Sequence, residues 1–143
     1  MNYYVKAECM FQVQFYDVDQ MKVVYHGNYI NYFEMGRSAL LDKVHFNYTV
    51  MEEIGYAFPV VDVRIKYIHS LRFHDTGKII AYLTEYENCI KIKYEIYNAK
   101  SGELCTKGET TQMCVRIADN ATQFVCPAVL LERVRAVQAC PHE

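Results

Sequence analysis

Tryptophan is absent from the 143 residues, and thirteen tyrosines take the amphipathic role it would have filled. No excess of positive charge is present either. The formal net charge is −2, which excludes the electrostatic footprint of a nucleic-acid binder and a polybasic membrane anchor. Lys91 and Lys93 make the one basic doublet of note, and Glu95 follows it. No C-x-x-C pair occurs: Cys9, Cys89, Cys105, Cys114, Cys126 and Cys140 are scattered, with no histidine at zinc-finger spacing. The N-terminal Met1–Lys6 stretch has no apolar run of the signal-peptide kind. No segment approaches the ~18 consecutive apolar residues of a membrane helix. These absences predict reduced thiols, a cytoplasmic protein, no nucleic-acid partner, no membrane insertion, no metal and no cofactor.

What is present is an apolar content of 52%. It suits a single domain over residues 1–143, with no repeat, linker or low-complexity stretch dividing it. Strand alternation is clear. Cys9, Phe11, Val13 and Phe15 share one face, and so do Val61, Val63, Ile65 and Tyr67. Ile90, Ile92, Tyr94 and Ile96 repeat the pattern, as do Thr111, Met113, Val115 and Ile117, while Ile79–Tyr86 is more uniformly apolar. Short turns (His74–Gly77, Glu87–Asn88, Asn98–Gly102) force antiparallel pairing. Between the first two strands, Tyr29, Phe33, Gly36, Leu40 and Val44 recur at helical spacing, predicting a long helix from an Asn28 cap to about Val44. Gly36, on its buried stripe, predicts close approach to a sheet. Thr49, with Glu52 and Glu53, predicts the cap of a short helix ending at Gly55, and a C-terminal helix starts at Pro127. The fold class is α+β. One long helix cannot cover both faces and the edges of five strands, so self-association is expected.

Chemistry concentrates between Phe15 and Tyr29. Asp17-x-Asp19 follows an apolar strand, and His26-Gly27-Asn28 opens the long helix. A carboxylate beside a helix N-terminus can attack or activate water against a carbonyl, while free N–H groups stabilise the oxyanion. The spacing Asp17-x-Asp19, Val23-Val24-Tyr25-His26-x-Asn28-Tyr29, Phe33-Glu34-x-x-Arg37 resembles the hotdog-fold acyl-CoA thioesterases, in which a five-stranded antiparallel sheet wraps one long helix. Within them it is most similar to the 4-hydroxybenzoyl-CoA thioesterase family, and especially to its Tol-Pal-associated branch. The resemblance reaches to about Ile117.

That resemblance implies an acyl-CoA substrate and a homo-oligomer, dimer or tetramer, with sites at a subunit interface. It implies Asp19 as catalytic carboxylate and Asp17 as a turn residue. The backbone N–H of His26, with that of Gly27, would polarise the thioester carbonyl. The His26 ring is open between a catalytic contact and a structural hydrogen bond. Phe15 stands where several relatives carry Tyr, so the missing hydroxyl bears on acyl preference. Phe15, Asn28, Tyr29 and Phe33 are the candidate substrate-binding residues, and Arg37 is read as a helix anchor through an ion pair. Asp19 could form an anhydride or act as a general base, and the residues do not choose between these routes. Two other readings stand beside hydrolysis: (de)hydration of an acyl thioester on the same scaffold, and a non-catalytic acyl-thioester or protein-binding module.

Overall fold

The computed structural model describes residues 2–140. His142, for which the sequence offers no partner, lies outside them. In chain order the elements are β1 (Val5–Gln12), α1 (Tyr29–Lys43), α2 (Tyr48–Ile54), β2 (Tyr56–Ala57), β3 (Val60–Tyr67), β4 (Thr76–Glu85), β5 (Ile90–Asn98), β6 (Leu104–Gln112), β7 (Cys114–Arg116), β8 (Ala121–Gln123) and α3 (Ala128–Ala139). Two 3-10 turns, Phe15–Asp17 and His26–Asn28, lie in the connection from β1 to α1.

Five strands form one antiparallel sheet in the order β1-β4-β5-β6-β3, and α1 packs against one face of it, mainly over β1 and β4. This is the α+β hotdog arrangement the sequence implies. Alternation decides which side chains meet the helix. Ile79, Ala81 and Leu83 of β4 and Ile90, Ile92, Tyr94 and Ile96 of β5 are buried, whereas Lys91 and Lys93 face solvent. Two glycines set the helix-to-sheet distance. A Cβ on Gly36 would come within 3.0 Å of Ile79 Cδ1, which is the close approach expected of that residue. On the sheet side, a Cβ on Gly108 would lie 2.2 Å from Phe33 Cζ. Phe33 therefore lies flat over bare backbone and stacks on Tyr94 at 4.4 Å between centroids. The Tyr94 hydroxyl, which burial drives above its ordinary pKa, is satisfied by Thr110 at 2.8 Å. Leu130, Val134 and Val137 of α3 complete the core, as the start at Pro127 predicts.

Several predicted boundaries are corrected. The first strand stops at Gln12, short of Phe15. There Asp17 accepts the Gln14 N–H at 2.9 Å and donates its own to the Gln14 carbonyl at 3.0 Å, and this turn pulls the chain out of the sheet. The predicted strand over Thr111–Ile117 is two pieces. β6 ends at Gln112, whose side-chain amide donates to the Phe58 carbonyl at 2.7 Å. β7 then joins β2 and β8 in a small second sheet. The cap of α2 is Asn47, whose Oδ1 accepts from Val50 N–H at 3.2 Å, and not Thr49, which lies inside the helix. Gly55 ends it at φ 83° as expected. Strand β3 forms where predicted, but its burial does not alternate: as the edge strand it leaves every residue except the half-buried Ile65 exposed, Val61 at 58%, and its register shifts between Val60 and Asp62. No described helix is long and apolar enough to cross a membrane.

Candidate active site

The connection from β1 to α1 is a small hairpin anchored at its base. Val18 pairs with Val24, Asp17 O accepts from Tyr25 N–H at 2.9 Å, and Asp19 N–H donates to Val23 O at 2.9 Å. Lys22 takes a left-handed φ of 62° to close the turn. The base is held by Asp17, a carboxylate only 9% exposed. Its Oδ2 accepts the Gln14 amide and, at 3.0 Å, the Tyr32 hydroxyl from the second turn of α1. Burial and the adjacent carboxylate push the Tyr32 phenol well above its ordinary pKa, so it remains a donor. The Asp17 carbonyl also accepts the Asn28 side-chain amide at 2.8 Å. Asn28 sits at the predicted cap position, but its side chain is spent on Asp17 and makes no helix cap.

Asp19 lies farther out and is exposed. Its Oδ1 accepts the Met21 N–H at 2.8 Å, which fixes the carboxylate; no described residue donates to the other oxygen. The chain then enters the helix at His26. Asn28 N–H is satisfied by Tyr25 O at 2.9 Å, whereas the His26 and Gly27 amides precede the helical ladder and have no acceptor within it. The His26 carbonyl accepts the Tyr67 hydroxyl of β3 at 2.8 Å. Tyr67 in turn meets the Tyr29 ring edge-on at 5.4 Å. Beside them lies a cavity of about 220 Å³ lined by Val24, His26, Tyr29, Tyr67, Ile68 and His69 among others.

Of the sequence-predicted residues, the structure thus brings His26 and Tyr29 to one cavity. Gly27 and Asn28 adjoin them in the helix entry, and Asp19 occupies the tip of the same hairpin without lining that cavity. Phe15 is 76% exposed and contacts Phe73 edge-on, and Phe33 is buried under the sheet. Tyr32 and Tyr67 were not singled out as site residues, whereas Asp17, read as a turn residue, holds the Phe15–Asp17 turn. Asp17 alone left a local signal, being three residues after Gln14 at a strand end. Tyr67 is 41 residues from His26, and no spacing rule links them. Arg37 does make an ion pair, but with Glu34 of the same helix; what ties it to another element is its hydrogen bond to the Tyr48 hydroxyl of α2 at 2.9 Å. Among the described residues, no group of three His, Cys, Asp or Glu side chains could hold a metal ion.

The chain and its fold have counterparts among known proteins. Residues 13–136 match the family model described as the thioesterase-like superfamily. YneP of Bacillus subtilis (strain 168), named as a candidate acyl-CoA thioesterase, is 36% identical over 105 residues, covering 73% of this chain and 75% of YneP. Among solved structures, a DHNA-CoA thioesterase from Staphylococcus aureus superposes with a TM-score of 0.83 at 29% identity, over 96% of this chain and 93% of the other. A 1,4-dihydroxy-2-naphthoyl-CoA thioesterase from Synechocystis shares the fold, with a TM-score of 0.81 at 19% identity over 91% and 96% of the two chains. None of these names points to the Tol-Pal-associated branch. With the match spanning hairpin, helix and sheet alike, the chain belongs to the thioesterase-like superfamily.

Proposed function

We propose that this protein hydrolyses acyl-CoA thioesters to a free acid and coenzyme A, and does so as a homo-oligomer. The observation that carries the reading is the entry of α1. Two peptide N–H groups with no acceptor in the helical ladder stand at a helix N-terminus beside an aromatic-walled cavity, and the preceding hairpin holds an exposed, oriented carboxylate. The names of the relatives support coenzyme A thioesters as the substrate class.

In this reading the thioester carbonyl oxygen takes hydrogen bonds from His26 and Gly27 N–H, at the positive end of the α1 dipole. The negative charge that develops there is stabilised without reorganisation. The free oxygen of Asp19 attacks the carbonyl carbon, the C–S bond breaks, and water opens the resulting anhydride. In the alternative course the carboxylate takes a proton from water, which attacks instead. In both, coenzyme A departs as a thiolate, so no strong general acid is required. Tyr67 holds the His26–Gly27 peptide by its carbonyl, which helps to fix the direction of the Gly27 N–H.

The test is a panel of short, medium, long and aromatic acyl-CoAs followed by loss of thioester ultraviolet absorbance. Asp19→Asn is expected to lower turnover on the preferred substrate by about 10²–10⁴-fold with an unchanged circular dichroism spectrum. Full activity in Asp19→Asn would overturn the assigned mechanism. A folded oligomer inert on every ester would overturn the activity.

A further inference from the structure

Of the groups lining the cavity beside the helix entry, His26, Tyr29, Tyr67 and His69 can exchange protons. Both phenols are committed. Tyr67 donates to the His26 carbonyl at 2.8 Å. The Tyr29 hydroxyl accepts the Leu71 N–H at 3.3 Å, and burial holds it above its ordinary pKa. The two imidazoles remain, and their surroundings differ. The His26 ring lies 4.2 Å from Tyr25 and 6.4 Å from Tyr67 between centroids, and it makes no ion pair with a described residue. His69 does have an ionic partner.

The chain puts it there by local bonding. Just past β3, the N–H groups of Ile68 and His69 both donate to the Cys105 carbonyl, at 2.9 and 3.0 Å. This shared acceptor holds His69 against the start of β6, where Glu103 ends the connection from β5. Glu103 is itself fixed, its N–H on the Ser101 hydroxyl at 3.2 Å and its carbonyl on the Asn98 N–H at 2.9 Å. Its carboxylate lies 3.7 Å from His69 Nε2. The other ring nitrogen, Nδ1, has no hydrogen-bond partner among the described residues. The two side chains are 53% and 54% exposed, so a proton on the ring has a path to solvent.

The anhydride course leaves a proton unaccounted for in its second half. Once Asp19 is acylated its carboxylate charge is gone, and it no longer deprotonates water. Asp17 is closed in by the Gln14 amide and the Tyr32 hydroxyl. A neutral imidazole takes a proton from water near neutral pH, and at His69 the resulting positive charge faces a carboxylate. The cavity, of about 220 Å³, has room for water at ~30 Å³ per molecule, and Asp19 does not line it.

We propose that His69 is the general base of the second half-reaction, with Glu103 as its positioning residue. This rests on the thioesterase reading above and selects its anhydride course. In this step a water oxygen bonds to the acyl carbon while its proton passes to His69 Nδ1. The bond from that carbon to the Asp19 oxygen breaks, and its electron pair returns to the carboxylate. The imidazolium then yields its proton to solvent.

Rapid mixing of the enzyme with a small excess of its preferred acyl-CoA, followed at the thioester absorbance, separates the two halves. His69→Gln is expected to consume about one thioester per site at the native rate, then to turn over about 10²-fold more slowly. Its quenched protein carries the mass of one acyl group, and added hydroxylamine releases that group as the hydroxamate. Glu103→Gln keeps the burst and slows the second phase by up to about fivefold. Asp19→Asn shows neither phase. Native steady-state turnover in His69→Gln, or a slowing of both phases with no acylated protein, overturns the assignment. A Glu103→Gln enzyme identical to the native one removes the positioning role. A native protein that releases no coenzyme A from any substrate overturns the thioesterase reading, and the base with it.

Discussion

Asp17 and Asp19 are two residues apart and chemically identical, yet their surroundings give them different work. Asp17 is closed in by the Gln14 amide, the Tyr32 hydroxyl and its own turn, and it ties the hairpin to α1. Asp19 keeps one oxygen open to solvent. Replacing Asp17 by Ala leaves the buried Tyr32 hydroxyl without an acceptor, which costs about 1–3 kcal/mol. Asp17→Asn preserves an acceptor and costs less. Urea titrations of the two variants are expected to rank in that order. The converse substitution, Tyr32→Phe, is expected to cost about 1 kcal/mol, because it removes the donor and leaves a carboxylate that still holds the Gln14 amide. Equal stability of Asp17→Ala and the native protein would remove Asp17 from its anchoring role.

The long elements were legible because one physical rule dominated each. The helical stripe through Phe33 and Gly36, and the alternation in β5, come from burial against a single partner. The boundaries were not legible where a local hydrogen bond competed with that rule. Asn47 outcompeted Thr49 for the cap, and Asp17 diverted the chain at a point where Phe15 still fitted the strand alternation. In the candidate site, Asp19 and His26 are proposed from residue type and from their spacing before a helix. Tyr67 and the pairing of His69 with Glu103 depend on contacts made by distant segments. At the level of packed elements, the contact of α1 with β6 is the tightest to test. Gly108→Ala places a methyl group against Phe33 and near the Arg64 carbonyl. It is expected to destabilise the protein by about 1–3 kcal/mol, and Phe33→Leu in the same chain should recover part of that by vacating the space. Additive losses in thermal unfolding would show that the two residues do not share the strain.

Over the whole chain, the core is closed on the α1 side and open along β3. Val61, Val63 and Tyr67 remain exposed there on an unpaired strand edge. We expect a second copy to cover this edge; Val63→Lys should then shift sedimentation toward the monomer, and a native protein already monomeric at high concentration would refute that expectation. The buried thiols give a second global prediction. Burial lifts the Cys126 thiol from its usual 9 to about 12 and Cys114 to about 11. Both stay protonated in the folded chain but ionise on unfolding. Stability is therefore intact below about pH 9 and falls as pH rises through the window up to about 12. Denaturation midpoints across that range should decline less steeply in Cys126→Ala. The hydrogen bond from Tyr67 to the His26 carbonyl joins the exposed edge to the peptide that would polarise the substrate. A neighbour docked on β3 would thus be felt at the reacting bond, and mass action would enter the rate law. Specific activity should climb with enzyme concentration, and a reaction started by dilution from a concentrated stock should slow over time as assemblies part.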